Sequence, residues 1–279
     1  MKISKTKAPL SFFGCGRGHS FSHNNAYFFR KVNSSDAEMQ NKYDLFLIDL
    51  SMLNCQKAIE LIQSRNDIRY IFLLITHLHD DHFSGVIPLC SYCYYKLNKT
   101  VNVIIHPNLK SDICEYARIT GAALKPACRV CAFYETIKYI DYDKPFDSTI
   151  EMAEVLDAIK KTVKSIILTQ HDSKLENKCF GFRCETDDFS FVYTGDTAVL
   201  EPFIPYIQPK DVLYIDVQPD YEFAWHLNWV TYNHDLIRLA KHHVIYCMHY
   251  SNADKLQEII KTYKNIYLAT PVDIQPVID

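Results

Sequence analysis

The chain's 279 residues are 48% hydrophobic and 23% charged, a balance that builds a sizeable core and excludes a disordered or fibrous protein. A formal net charge of −3 at pH 7 leaves no overall basic field to hold phosphate backbones, so long nucleic acid is not an expected partner and an anionic substrate must be caught locally. No Pro-, Gly- or Ser-rich linker and no block of like charge interrupts the chain, which points to one domain over residues 1–279.

At the start, Lys2, Lys5 and Lys7 are not followed by an apolar run, so no signal peptide is expected. The longest apolar runs are strand-sized, which leads to the expectation of a soluble cytoplasmic protein without membrane contact. Gly14-Cys15-Gly16-Arg17-Gly18-His19 holds three of the seven glycines and marks a tight backbone feature. It is not a dinucleotide fingerprint, because Ser20 to Asn25 and an aromatic strand follow rather than a helix.

Apolar runs predict strands at 26–29, 45–50, 70–76, 101–105, 163–169, 179–185, 189–194, 212–217, 244–248 and 266–269. Residues 179–185 and 189–194 read as a hairpin. Other strands are separated by helical stripes, carried by Ala58, Ile59, Leu61 and Ile62, by Leu236, Ile237, Leu239 and Ala240, and by Leu256, Ile259, Ile260 and Tyr263. Asn54, Asn233 and Asn252 are the expected helix caps. This mixed order predicts a layered α/β architecture with parallel and antiparallel pairing and helices on the outer faces. Ten cysteines without a secretion signal are expected as reduced thiols. Cys90 with Cys93 and Cys128 with Cys131 have metal-ligand spacing, but the first pair lies in an apolar run where thiols pack as small hydrophobes.

The strand at 70–76 runs directly into His77-Leu78-His79-Asp80-Asp81-His82. At about 100° per residue a helix would scatter residues 77, 79, 81 and 82, whereas an extended strand end puts 77 and 79 on one side and a following turn brings in 81 and 82. Gly85 is expected to let the backbone turn sharply before a helix from Val86. Imidazoles and carboxylates are costly to bury unpaired, so this density at the end of a buried strand points to a metal. Six residues cannot complete two coordination shells. His171, Asp196 and His249 each follow an apolar run and supply further candidates.

His77-x-His79-x-Asp81-His82, the lone His171, the Gly195-Asp196-Thr197 turn and the late His249 resemble the five ordered motifs of the metallo-β-lactamase superfamily, over about residues 10 to 270. The resemblance implies a four-layer αββα sandwich with two mixed sheets and metals at one rim. It further implies that His77, His79 and His171 bind one ion, that Asp81, His82 and His249 bind a second, and that Asp196 bridges them. Asp49 resembles the family's first-motif aspartate, with Ser51 where a glycine is usual. A nitrogen and oxygen ligand set suits two zinc ions first, with manganese or iron also compatible.

A water between two such ions loses its proton near neutral pH and becomes a nucleophile, so hydrolysis is the expected reaction. The motif pattern is closest to tRNase Z-like phosphodiesterases. In these a histidine about two dozen residues before the last ligand protonates the leaving oxygen. His226 stands at such a position and, with Asp81, is the expected catalytic residue, with His234 as the alternative donor. Residues 172–195 suffice for a hairpin but not for the arm that grips transfer RNA, so a small phosphodiester or nucleotide is the expected substrate. Lys174 and Lys178 are candidates for neutralising its phosphate, and Arg17, His19 and His23 for touching it. Tyr221, Phe223, Trp225 and Trp229 crowd one stretch, suited to base stacking or to a homo-oligomer interface. Two alternatives remain open: a thioester or lactone hydrolase of the same fold, and a non-catalytic metal-containing binding or sensing protein.

Overall fold

The computed structural model describes residues 8–120, 128–134, 136–140, 150–221 and 224–272. The chain runs β1 (Ser11–Gly14), β2 (Asn25–Lys31), β3 (Tyr43–Ile48), α1 (Met52–Gln63), β4 (Ile68–Leu74), the one-turn α2 (Asp80–Phe83), α3 (Val86–Leu97), β5 (Val101–Ile105) and α4 (Lys110–Ile119). It continues through β6 (Cys128–Tyr134), β7 (Thr136–Ile140), α5 (Ile150–Thr162), β8 (Val163–Thr169), β9 (Cys179–Glu185), β10 (Ser190–Tyr193) and β11 (Val212–Asp216). It closes with α6 (Trp229–Leu239), β12 (Ile245–Met248), α7 (Ala253–Ile260) and β13 (Ile266–Leu268). Two mixed sheets result, β1-β2-β3-β4-β5-β6-β7 and β13-β12-β11-β10-β9-β8.

The period-two alternation of the strands decides what each face buries. In β3 and β4, Phe46, Ile48, Phe72 and Leu74 face the second sheet, where they join Phe182, Phe191, Tyr193 and Tyr214. Their neighbours Leu45, Leu47, Ile71 and Leu73 face outward with Ala58, Ile59 and Ile62 of α1 and Leu89 of α3. On the other sheet, Leu213, Ile215 and Cys247 point outward to Leu236 of α6 and to Leu256 and Ile260 of α7. Strands buried on both faces therefore read as unbroken apolar runs, and the expected αββα layering is present.

All ten expected strands form, with shifts at their ends. Three elements, β1, β6 and β7, add to them. β9 and β10 make the expected antiparallel hairpin. The caps need correction. Asn252 caps α7, but α1 starts from Ser51 and α6 from Asn228, whose side chain accepts from the Thr231 amide. Asn54 is buried and donates to the His23 carbonyl at 2.9 Å and to Asn25 at 2.8 Å. Asn233 lies inside α6. Gly85 has an ordinary φ of −85°; what requires glycine there is space, since a Cβ would lie 2.5 Å from the Ser51 carbonyl oxygen. Cys90 and Cys93 are buried and form no disulfide. The side chains of Cys128 and Cys131 lie outside the described residues, as do residues 1–7. Among the described residues no helix is long and apolar enough to cross a membrane.

β3 runs parallel to β4, β10 to β11 and β11 to β12, while β8 and β10 both pair antiparallel with β9. These six strands, β3, β4, β8, β10, β11 and β12, therefore end at a common rim. At the far rim the first sheet is tied by one buried carboxylate. Asp44 of β3 accepts from Arg30 of β2 at 2.6 Å and from Arg69 of β4 at 2.9 Å, and Asp44 has no solvent exposure. Replacing Asp44 with alanine removes the buried counter-charge shared by Arg30 and Arg69, leaving Arg69 only the half-exposed Glu154 at 3.8 Å. The expected loss is about 3–5 kcal/mol, read as a lower midpoint in urea unfolding; an unchanged midpoint would show that the ion pairs do not stabilise the sheet.

Candidate metal centre

Every candidate ligand lies beyond the carboxyl end of a strand that finishes at the common rim, Asp81 and His82 in the one-turn α2 that follows β4. His77 and His79 follow β4 in extended backbone, and the single turn of α2 swings Asp81 and His82 back toward them. His171 follows β8, Asp196 follows β10 and His249 follows β12. The Gly195 before Asp196 has φ +61°, and a Cβ there would meet the Phe180 carbonyl oxygen at 2.7 Å. Only glycine satisfies both the left-handed conformation and the close approach.

The side chains converge as two groups that share Asp196. His77 Nε2 lies 3.0 Å from His79 Nδ1, and His171 Nε2 lies 3.3 Å from the same atom. Asp196 Oδ2 is 3.8 Å from His77 Nε2 and 3.7 Å from His171 Nε2. In the second group, Asp81 Oδ2 is 3.3 Å from both His82 Nε2 and His249 Nε2. Asp196 reaches this group too, with Oδ1 3.4 Å from His82 Nε2 and Oδ2 3.3 Å from His249 Nε2. Four donors set tetrahedrally around an ion at 2.0–2.1 Å stand about 3.3 Å apart, so the spacing suits one ion in each group.

Hydrogen bonds behind the cluster decide which ring nitrogens face inward. Thr76 Oγ1 donates to Asp49 Oδ2 at 2.8 Å, so it accepts from His77 Nδ1 at 2.9 Å, leaving Nε2 as a lone pair. His171 Nδ1 donates to the Trp225 carbonyl at 2.8 Å and His82 Nδ1 to Asp49 Oδ2 at 2.8 Å. Their Nε2 atoms likewise point into the cluster. Lone pairs and carboxylate oxygens then face one another, and His82 Nε2 and Asp196 Oδ1 are buried without a hydrogen-bond partner. Such a convergence is unfavourable unless a cation fills it. Without one, protons must do so. Burial pulls His249 down, but Asp196, Asp216 and Asp81 outweigh it and push its pKa up to about 10. Burial also opposes protonation of His82, yet Asp196, Asp81 and Asp49 raise it well above the ordinary histidine range. His77, by contrast, is held well below that range by burial and by His82. The residues fit a pair of divalent cations.

Asp49 occupies the place expected of it. It takes the left-handed conformation, φ +56°, and its Oδ1 accepts from the Thr76 amide at 2.8 Å. The sharp turn is therefore made at Asp49 itself, and Ser51 is extended at φ −85° with no need to be glycine.

His226 is buried beside the cluster, its ring 4.8 Å from that of His171 and 5.0 Å from that of His249. Its Nδ1 donates to Asp216 Oδ2 at 2.7 Å, which leaves Nε2 to exchange a proton. Asp216 is a residue that the sequence reading missed, although it too is a polar residue at the carboxyl end of an apolar strand. It also accepts from the Thr197 amide and lies 3.6 Å from His249 Nδ1. Gln218 is a second omission: it donates to the His249 carbonyl at 2.6 Å and so holds that residue's left-handed backbone, φ +55°.

Other expected contacts change. His234 lies inside α6, a helix on the outer face of the second sheet, and is not brought to the cluster. Lys178 is paired with Asp112 at 2.6 Å. His23 is buried, with Nε2 3.2 Å from the Gly18 carbonyl, so it supports a loop rather than facing the cleft. Phe223 lies outside the described residues.

Removing the support behind His82 tests the geometry. Asp49→Ala is expected to weaken zinc binding by about 10–100-fold in a chelator-competition titration, with thermal unfolding monitored alongside. Unchanged affinity in a folded variant would show that zinc is not held through His82.

Comparison with known proteins follows the same geometry. No curated protein matches the chain. The metallo-β-lactamase fold protein YhfI from Bacillus subtilis superposes with a TM-score of 0.63 at 17% identity, covering 95% of this chain and 97% of that one. A diphosphatase from the PhnP family gives 0.59 at 15% identity, covering 96% and 98%. The short form of human tRNase Z gives 0.53 at 15% identity, covering 95% and 99%. These likenesses establish the metallo-β-lactamase fold. A family model described as anti-Pycsar protein Apyc1 matches residues 10–270, and the chain belongs to that family.

Proposed function

We propose that the chain is a dinuclear metal-dependent hydrolase acting on a small phosphodiester or nucleotide. The observation that carries this reading is the position of His226, buried against the rings of His171 and His249 and held by Asp216. A metal cluster alone would serve several electrophiles. A proton donor aimed beside it serves a leaving group that must be protonated, as an alkoxide does and a thiolate does not.

A pair of divalent ions, zinc by preference for this nitrogen and oxygen set, would supply an activated water near neutral pH and offset charge developing on the attacked group. His77, His79 and His171 would hold one ion, Asp81, His82 and His249 the other, with Asp196 shared. Asp81 acts in this reading through the ion it holds. His226 gives the proton on Nε2 to the leaving oxygen. Asp216 fixes the ring's tautomer through Nδ1 and stabilises the charged imidazolium from which that proton comes.

Substrate size follows from the connection between the ligands. Residues 172–195 form a 3-10 turn and the β9–β10 hairpin, with no room for an extended arm. The PhnP-family neighbour is described as a diphosphatase and the human neighbour as a tRNase, so cleavage at phosphorus is compatible with this fold.

With zinc or manganese the chain is expected to hydrolyse bis(p-nitrophenyl) phosphate. His226→Ala should keep its metal content and lose about 100-fold or more in kcat on a dinucleotide, whose leaving alkoxide must be protonated, and far less on the nitrophenyl ester, whose leaving group departs as the anion. Absence of cleavage with either metal, or an unchanged rate on the dinucleotide in the variant, would overturn the reading. Parallel assays on thioesters and lactones identify the competing hydrolase.

A further inference from the structure

Asp81 and His82 are carried by α2, a helix of a single turn, which cannot satisfy its own carbonyl groups. The Gly85 amide, which a continuing helix would direct at the Asp81 carbonyl, donates instead to the Leu50 carbonyl at 2.9 Å. A side chain from another element takes the Asp81 carbonyl: Asn25, the first residue of β2, donates to it from Nδ2 at 2.9 Å. The His82 carbonyl accepts from the Leu50 amide at 2.7 Å. With Gln218 on the His249 carbonyl, all three residues of the second group are held through their backbone by groups from elsewhere in the chain.

Asn25 has no solvent exposure and spends its whole hydrogen-bonding capacity. Its Nδ2 also donates to the Asn24 carbonyl at 2.9 Å, and its Oδ1 accepts from the Ser51 amide at 3.0 Å and from Asn54 Nδ2 at 2.8 Å. Ser51 follows closely on Asp49, whose carboxylate holds the His82 ring. One amide therefore joins the turn that carries Asp81 to the turn that supports His82. Asn54 reaches on to the His23 carbonyl, and His23 Nε2 lies 3.2 Å from the Gly18 carbonyl. Gly18 rests against Asp81 so closely that a Cβ would stand 3.1 Å from its carboxylate. The same polar cluster thus fixes Asp81 by its backbone and fixes the loop that lies on its side chain. None of these bonds reaches His77, His79 or His171.

We propose that Asn25 is a positioning residue for the second metal ion, setting the Asp81 carboxylate against His82 and His249 without acting on the first group. This rests on the two-ion reading of the site. A carboxylate on a single unbraced turn moves with its backbone, and Asp81 Oδ2 must stay 3.3 Å from both His82 Nε2 and His249 Nε2 to share an ion with them. The rings of His77 and His171 are oriented by bonds of their own, to Thr76 and to the Trp225 carbonyl. Supporting groups of this kind change metal affinity by about 10–100-fold, so loss of the Asn25 bond is expected to separate the two ions.

Asn25→Asp keeps the shape of the side chain and the oxygen that accepts from Ser51 and Asn54, but leaves at most one proton for the Asp81 and Asn24 carbonyls. Zinc is titrated into the full chain against a chelating indicator, and crystals of both proteins are compared at a zinc concentration that just saturates the wild type. The wild type is expected to bind two zinc ions. Asn25→Asp should hold one with unchanged affinity and the other about 10–100-fold more weakly. The anomalous peak among His77, His79 and His171 is then kept while that among Asp81, His82 and His249 falls. Asn25→Ala, which puts no oxygen opposite the two carbonyls, should show the same selective loss. Asn102→Asp controls for burial alone: Asn102 is a buried asparagine of β5 that donates to the Ile71 carbonyl at 3.1 Å, and its variant is expected to keep both ions. Equal weakening of the two ions, or a like loss in Asn102→Asp, overturns the positioning role. Two unchanged affinities in the Asn25 variants overturn it as well and leave the two-ion reading intact. Fewer than two zinc ions in the wild-type chain overturns both.

Discussion

Lone pairs and carboxylates gathered in a buried place repel one another, and the rim of this protein gathers them from six strands. His77, His171 and His82 each commit one ring nitrogen to a partner behind the cluster, Thr76, the Trp225 carbonyl and Asp49 respectively. The other nitrogen of each faces Asp196 and its neighbours. The arrangement is stable only with positive charge at the centre, from protons or from metal ions. The backbone conformations, the supporting polar residues and the proposed chemistry all follow from that requirement.

The fold meets it by direction. Parallel pairing puts the carboxyl ends of β3 and β4 in one sheet and of β10, β11 and β12 in the other at the same level, and β8 joins them through its antiparallel partner β9. Strands buried on both faces hold these ends rigid, so the side chains beyond them are placed by the core rather than by flexible loops. Two non-glycine ligands or supports, His249 and Asp49, adopt positive φ, a conformation that costs of order 1 kcal/mol or more for such residues. Gln218 braces the first and Thr76 the second. The polar network behind the rim thus holds strain as well as orienting rings, and Asp216 extends it to His226.

Much of this was legible because the chemistry concentrates. A histidine-rich segment after an apolar run has few structural uses, and the later candidates were found by one rule, a polar residue at the carboxyl end of a strand. Asp216 obeys the same pattern, but Val217 after it extends the apolar run 212–217 past the carboxylate and masks the strand's end. β1 escaped notice because Ser11–Gly14 is four residues long and leads into glycines, so it resembled a turn. The strand Cys128–Tyr134 is hard to read because its two cysteines have metal-ligand spacing and Arg129 breaks the apolar run. Asn54 and Asn233 looked like caps because they border apolar stripes. Only the three-dimensional structure shows that Ser51 and Asn228 start those helices and that Asn54 instead helps to anchor the loop over Asp81.

The central claim is that one rim holds two ions sharing Asp196. It is tested most directly by anomalous diffraction at the zinc edge from crystals of the full chain grown with zinc. The account predicts two peaks about 3.5–4 Å apart, one among His77, His79 and His171 and the other among Asp81, His82 and His249, with the Asp196 carboxylate between them. A single peak in that cluster, or zinc bound elsewhere on the chain, would contradict it.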